Sequence, residues 1–240
     1  MDRGRVYLVG AGPGDPSLVT CRGISLIEDA DVIVYDRLVS HDLLSRARRD
    51  CILIFAGKGM GESKKQEEIN QLLYKYASEG KTVVRLKGGD PYVFGRGEEE
   101  CAYLVEKGIC CEVVPGVSSA FAVPAYAGIP VTSRWMSSGV TVLTAVRSTG
   151  EVIDLDYVPK KGTLVILMGV HVADRLKEQL LKVRPAGEPV AVIENGTLPG
   201  QRVFVSTLEK LDVVVRENKV RAPAIFIVGE VVKLRSALTR

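Results

Sequence analysis

Short apolar runs alternate with amphipathic stretches along the first half of the chain, the pattern of β-α units that feed a mainly parallel sheet. Five of these runs are predicted as strands: Arg5–Val9, Val32–Tyr35, Ile52–Phe55, Thr82–Leu86 and Cys111–Val114. Between the third and fourth, Ile69, Leu72, Leu73 and Tyr76 recur at helical spacing. Ser63, three residues before Gln66, offers a capping box for that helix, and Gly80 a stop. A further helix is predicted from about Glu98 to Lys107, ended by Gly108 in a left-handed conformation.

After Ser118 the chain reads SSAFAVPAYAGIPVTSRWMSSG, where small residues, Pro124, Pro130 and paired serines interrupt both the helical and the strand period. A boundary is expected near Val131–Ser138, giving an N-terminal domain over residues 1–133 and a C-terminal domain over 134–240. The second half restarts with strands at Val140–Thr144, Leu164–Met168, Val190–Glu194, Arg202–Ser206 and Ala224–Val228, and a helix over about His171–Val183. Few helices separate these strands, so the second sheet should be mixed, with a hairpin across Asn195–Gln201. The fold class is therefore α/β, with two α/β domains, a mainly parallel N-terminal sheet and a mixed C-terminal one.

At 240 residues, either one large or two modest domains can bury a core without staples. No stretch approaches the ~18 uninterrupted apolar residues of a membrane helix. The apolar run near the N-terminus breaks after Val9 with no small-residue cleavage site, so a cytoplasmic address is expected. A net charge of +3 with dispersed basic residues gives no nucleic-acid arm and suits an anionic small molecule. The five cysteines and two histidines show no metal-ligand spacing, so no metal is expected. Free thiols are expected, with Cys51, Cys110 and Cys111 packed inside strands.

Gly10-Ala11-Gly12-Pro13-Gly14-Asp15 follows the first strand, and Asp36 ends the second, which superficially matches a dinucleotide-binding unit. The loop chemistry opposes that match. Its glycines follow G-x-G-x-G, Pro13 removes an N–H that a pyrophosphate would use, and Asp15 adds a carboxylate where phosphates would sit.

Four further segments accompany the GAGPGD loop: Tyr35–Ser40 (YDRLVS), Arg85–Gly97 (RLKGGDPYVFGRG), Val114–Ser119 (VPGVSS) and Ala125–Thr132 (AYAGIPVT). Together, in order, they resemble the signature set of the tetrapyrrole methylases. The YDRLVS and KGGDPYVFGRG segments are similar to those of members that act on uroporphyrinogen III. Leu167-Met168-Gly169 and Glu194–Thr197 extend the resemblance over essentially the whole chain. Thr132-Ser133-Arg134 departs from the family's pattern, which commonly has a histidine before the arginine. Leu143-Thr144-Ala145-Val146 departs likewise, standing where a Gly-His pair often follows the threonine.

The resemblance implies two α/β domains holding S-adenosylmethionine in the cleft between them, and a homodimer as the working unit. It implies methyl transfer to ring carbons of uroporphyrinogen III, giving precorrin-2 through precorrin-1 for sirohaem or cobalamin synthesis. Cofactor contacts carry over onto Pro13, Gly88, Gly89, Asp90, Val93, Ser118, Ser119, Met168 and Gly196. A sulfonium and an ammonium favour carbonyls and carboxylates nearby, which agrees with these residue types. Asp36 matches the family's proposed proton acceptor and Lys58 its proton donor. The carboxylate fringe of the macrocycle calls for guanidinium forks, and Arg37, Arg96 and Arg134 lie within or beside the motif segments. The rival expectations are methylation of a later precorrin, a nucleotide-dependent oxidoreductase disfavoured by Pro13 and Asp15, and a non-catalytic α/β binding module.

Overall fold

The structure, a computed structural model, describes residues 4–57 and 63–239, with the side chains of 63–65 excepted. The chain divides into two compact units, Met1–Ser118 and Ser119–Arg240. Both are α/β, and each is built on one five-stranded sheet.

In the first unit the strands are β1 (Arg5–Gly10), β2 (Val32–Tyr35), β3 (Ile52–Phe55), β4 (Thr82–Lys87) and β5 (Cys110–Val114). Their spatial order is β3-β2-β4-β1-β5, and every pairing is parallel. Strands buried on both faces need near-continuous apolar runs, which is why β2 reads VIVY and β4 TVVRLK. Helices α1 (Cys21–Asp29), α2 (His41–Leu44), α3 (Ser63–Ser78) and α4 (Gly97–Glu106) connect them. Alternate strand residues feed two cores. Val9, Ile33, Val84 and Leu86 pack with Ile27, Leu43 and Leu44 on one face. Val6, Leu8, Val32, Val34 and Val83 pack with Ile69, Leu73 and Leu104 on the other. Gly80 and Gly108 follow α3 and α4 with φ of 82° and 72°, the left-handed stops expected of them. The capping role expected of Ser63 concerns a side chain outside the described residues.

The second unit begins with α5 (Ser119–Tyr126) and continues with β6 (Val140–Thr144), β7 (Thr163–Leu167), α6 (Ala173–Leu180), β8 (Pro189–Glu194), β9 (Arg202–Thr207), α7 (Leu211–Glu217), β10 (Ala224–Val228) and α8 (Arg235–Leu238). The sheet order is β6-β7-β10-β8-β9, with β6 and β7 parallel and the rest antiparallel, so the sheet is mixed. The hairpin across Asn195–Gln201 is present, its register pairing Glu194 with Arg202.

Two expectations differ from what is observed. The units part at Ser118 and not at residue 133, because Ala120, Val123, Ala127 and Ile129 pack on Val165, Ile193 and Ile225 of the second sheet. Pro124 sits inside α5 without ending it. The cysteines also behave differently. Cys101 on α4 is disulfide-bonded to Cys111 on β5, and Cys110 is exposed. Neighbouring strand residues point to opposite faces, so only one of the Cys110-Cys111 pair can turn toward α4. No described helix is long and apolar enough to cross a membrane.

Candidate functional site

All five strands of the first unit run the same way, so the loops leaving their carboxyl ends lie side by side. In spatial order, β2 delivers Asp36, β4 delivers Gly88-Gly89-Asp90, β1 delivers Gly10–Asp15 and β5 delivers Pro115-Gly116. Open α/β sheets handle ligands at this edge.

Hydrogen bonds stitch the three glycine-bearing loops together. Ala11 N donates to Lys87 O (2.7 Å), Gly12 N to Gly89 O (3.2 Å) and Gly89 N to Gly12 O (2.7 Å). Asp90 clamps the third loop, its Oδ2 accepting from Gly116 N (3.0 Å) and its Oδ1 from Tyr92 N (2.8 Å). The approach leaves no room for side chains. A Cβ on Gly116 would lie 2.2 Å from Gly89 O and 2.7 Å from Gly10 Cα.

This arrangement disfavours a phosphate cradle. The N–H groups of Ala11, Gly12 and Gly89 are donated to main-chain carbonyls, and Pro13 has none. Asp15 caps the turn at Pro16–Leu18 through Ser17 N (2.8 Å), adding a fixed carboxylate to the same loop. A cationic group is the better match for such an edge.

Beneath Asp36 lies a buried charge cluster that sequence reasoning missed. Arg85 and Lys87 stand two apart on β4, on the face covered by α3 and α4. Glu100 from α4 and Gln66 from α3 close over them. The side chains of Arg85, Lys87 and Glu100 are 1%, 4% and 0% exposed. Glu100 Oε1 accepts from Arg85 Nε (3.3 Å), Lys87 Nζ (3.0 Å) and Gln66 Nε2 (3.0 Å). Its Oε2 is buried with no hydrogen-bond partner among the described residues, a cost of about 1–3 kcal/mol or more. Burial pushes the Glu100 carboxyl up, but Arg85 and Lys87 outweigh it and hold it below the usual range. Burial, reinforced by Arg85, holds the Lys87 ammonium below its ordinary value.

Arg85 Nη2 also reaches Asp36 Oδ1 at 2.5 Å, while Asp36 keeps 29% of its side chain exposed. The partner of Asp36 is thus Arg85 and not its neighbour Arg37. Asp36 Oδ2 has no hydrogen bond among the described residues. No short-range pattern announces this cluster, whose members come from three elements and read locally as a strand-end pair and a helical first-turn acid.

The other expected site residues are distributed as follows. Pro13, Gly88, Gly89, Asp90 and Val93 share the carboxyl edge of the first sheet, all partly buried. Ser118 is buried as the last residue of the first unit, and Ser119 opens α5. In the second unit Met168 follows β7, exposed and at φ 61°. Gly196 sits in the β8-β9 hairpin, where a Cβ would meet Val123 at 2.3 Å. Arg37 is exposed. Arg96 is exposed too, but its fork is closed on Glu99, with Nε–Oε1 at 2.9 Å and Nη2–Oε2 at 2.6 Å. The Arg134 guanidinium lies over the exposed Trp135 ring, 5.6 Å from its centroid. Lys58 lies outside the described residues.

A parallel sheet whose carboxyl edge carries spent N–H groups, a clamped Gly-Gly-Asp turn and a half-buried strand-end carboxylate defines a small-molecule α/β site that is not of the dinucleotide kind. The tetrapyrrole (corrin/porphyrin) methylase family model matches residues 5–212, and the chain belongs to that family. It is 51% identical over 241 residues to the S-adenosyl-L-methionine-dependent uroporphyrinogen III methyltransferase of Methanosarcina barkeri, covering 98% of this chain and 94% of that one. It is 47% identical over 237 residues to the uroporphyrinogen-III C-methyltransferase of Methanocaldococcus jannaschii, covering 96% of this chain and 98% of that one. Among solved structures, the uroporphyrin-III C-methyl transferase of Thermus thermophilus complexed with S-adenyl homocysteine superposes with a TM-score of 0.84 at 40% identity, covering 96% of this chain and 94% of that one.

Proposed function

We propose that this chain transfers methyl groups from S-adenosylmethionine to ring carbons of uroporphyrinogen III, giving precorrin-2 through precorrin-1. The observation that carries this is the carboxyl edge of the first sheet, where main-chain N–H groups of the glycine loops are consumed and the Asp36 carboxylate stays partly exposed. Full-length relatives named for this reaction support the same substrate.

The donor supplies an electrophilic methyl group on a sulfonium. Carbonyls and carboxylates suit that cation, and the glycine turns leave the main chain open to close approach. Pro13, Gly88, Gly89, Asp90, Val93 and Ser118 are the proposed donor contacts of the first unit, and Ser119, Met168 and Gly196 those of the second. Asp90 would serve chiefly by fixing the Gly89 and Gly116 turns, since both its oxygens already accept main-chain N–H groups.

Transfer of the methyl group leaves the macrocycle with an added positive charge, which it sheds by losing a proton from another ring or bridging position, and this calls for a base. Asp36 is the proposed acceptor, supported by its partial exposure and by an Oδ2 with no hydrogen bond among the described residues. Lys58 is the proposed donor. Arg37, Arg96 and Arg134 are proposed partners for the acetate and propionate groups, Arg96 after exchanging Glu99 for a substrate carboxylate. The working unit is proposed to be a homodimer, which light scattering coupled to gel filtration would test.

The acid/base assignment is tested by Asp36→Asn and Lys58→Met. Each should lower turnover roughly 10²- to 10⁴-fold while calorimetric binding of S-adenosylhomocysteine persists. Near-normal turnover in both folded variants would refute it.

A further inference from the structure

We infer that Arg85 is a positioning residue for methyl transfer: anchored by Glu100, it fixes the carboxylate of Asp36 so that one oxygen stays free to receive the substrate proton. This deepens the proposed function and rests on Asp36 acting as the base.

Every nitrogen of the Arg85 guanidinium is engaged. Nε donates to Glu100 Oε1 (3.3 Å) and Nη1 to the carbonyls of Val34 (3.3 Å) and Leu86 (3.4 Å). Nη2 donates to Asp36 Oδ1 (2.5 Å). The fork therefore touches β2, β4 and α4 as well as its target, and a planar group held on three sides cannot swing. Held by such a group, the Asp36 carboxylate is fixed through Oδ1, while Oδ2 has no hydrogen bond among the described residues. The free oxygen belongs to the one partly exposed carboxylate of the cluster, at the strand edge where substrates are handled.

Stability alone gives a weak reason for this arrangement. Val83, two residues earlier on the same face of β4, packs in an apolar core with Val6, Leu8, Val32 and Val34. Another apolar side chain at position 85 would extend that core, and replacing buried ion sets by packed apolar residues is often neutral or stabilising. The cluster even leaves Glu100 Oε2 buried without a hydrogen-bond partner among the described residues. A buried support that orients a reacting group has a different rationale, because a shift near 1 Å at a reacting centre lowers rates roughly 10²-fold.

The test is a double-mutant cycle on the full chain, read by steady-state and single-turnover kinetics and by calorimetric binding of S-adenosylhomocysteine. Arg85→Met alone should lower kcat roughly 10²-fold, with the two Michaelis constants within about twofold of the parent. Arg85→Lys, which keeps the charge but not the fork, should recover only part of that loss. In an Asp36→Asn background, Arg85→Met should change the residual rate by less than about twofold, because its route of action is already gone.

An equal loss in both backgrounds, with Asp36→Asn itself impaired, would show Arg85 to be a brace for the fold and overturn the inference alone. Normal turnover of Asp36→Asn would overturn the assignment of the base, and the inference with it. Should Arg85→Met not fold, the isosteric Glu100→Gln substitution takes its place in the cycle. Additive losses there would be equally contradictory, and a loss confined to the Asp36 background would sustain the inference.

Discussion

Placing a single methyl group at Gly116 tests whether the three glycine loops must touch. Its Cβ would lie 2.2 Å from Gly89 O, 2.7 Å from Gly10 Cα and 2.9 Å from Gly10 C, all main-chain atoms that no rotamer change can clear. Reaching the 3.0 Å limit of real Cβ contacts requires one loop to retreat by about 0.8 Å. Overpacking of this kind costs about 1–3 kcal/mol, or a melting point lowered by roughly 2–12 °C in a chain of this size. The displaced loops carry the Asp90 clamp and the Gly88-Gly89 turn, so affinity for S-adenosylhomocysteine should fall about tenfold to a hundredfold. Gly116→Ala would be compared with the parent by differential scanning calorimetry and by isothermal titration. A variant that melts within one degree of the parent and binds as tightly would refute the claim that close main-chain approach builds the donor site.

In the second unit, Arg184 is buried with its guanidinium on Glu188, Pro159 O (2.7 Å) and Gly162 O (2.7 Å). Arg184→Met strands these acceptors and should destabilise by about 3–5 kcal/mol in urea unfolding. Arg37→Lys, Arg96→Lys and Arg134→Lys should raise the Michaelis constant for the porphyrinogen more than that for the donor, and equal effects would mark them as structural. The Thr82 N–H bond and, after the opposing effect of burial, Arg48 hold the Asp31 carboxyl below its ordinary value of 3.8. Its stabilising contribution is therefore complete above that ordinary value and is lost as pH falls through the lower folded one. Asp31→Asn should flatten the acid limb of a stability-versus-pH curve from urea unfolding, and an unchanged limb would contradict the linkage.

Ten strands were legible in the sequence because strand periods and buried apolar runs are local properties. Strand order was not, since the insertion of β4 between β2 and β1 leaves no local trace. The short helices α1 and α2 escaped for related reasons. Gly23 and Pro124 break the helical pattern, yet Gly23 approaches Val9 of β1 closely, and α5 is held by its packing on the second sheet. That packing also moved the boundary from residue 133 to Ser118.

The proposed roles of Asp36 and the Gly88–Asp90 turn come from motif resemblance, and the opposition of Pro13 to phosphate from loop chemistry. Arg85, Lys87 and Glu100 were passed over because two sit at a strand end and the third in a first helical turn, where charges are usually solvated. Only the crossing of β4 beneath α4 buries them together. The Cys101–Cys111 bond was hidden in the same way.

Incubating the purified chain with uroporphyrinogen III and isotopically labelled S-adenosylmethionine, followed by mass spectrometry of the extracted tetrapyrrole, puts the central claim to the most direct test. Two labelled methyl groups on ring carbons, with a singly methylated species preceding the doubly methylated one, is the predicted result. An unlabelled macrocycle recovered from a folded chain that has bound the donor would contradict it.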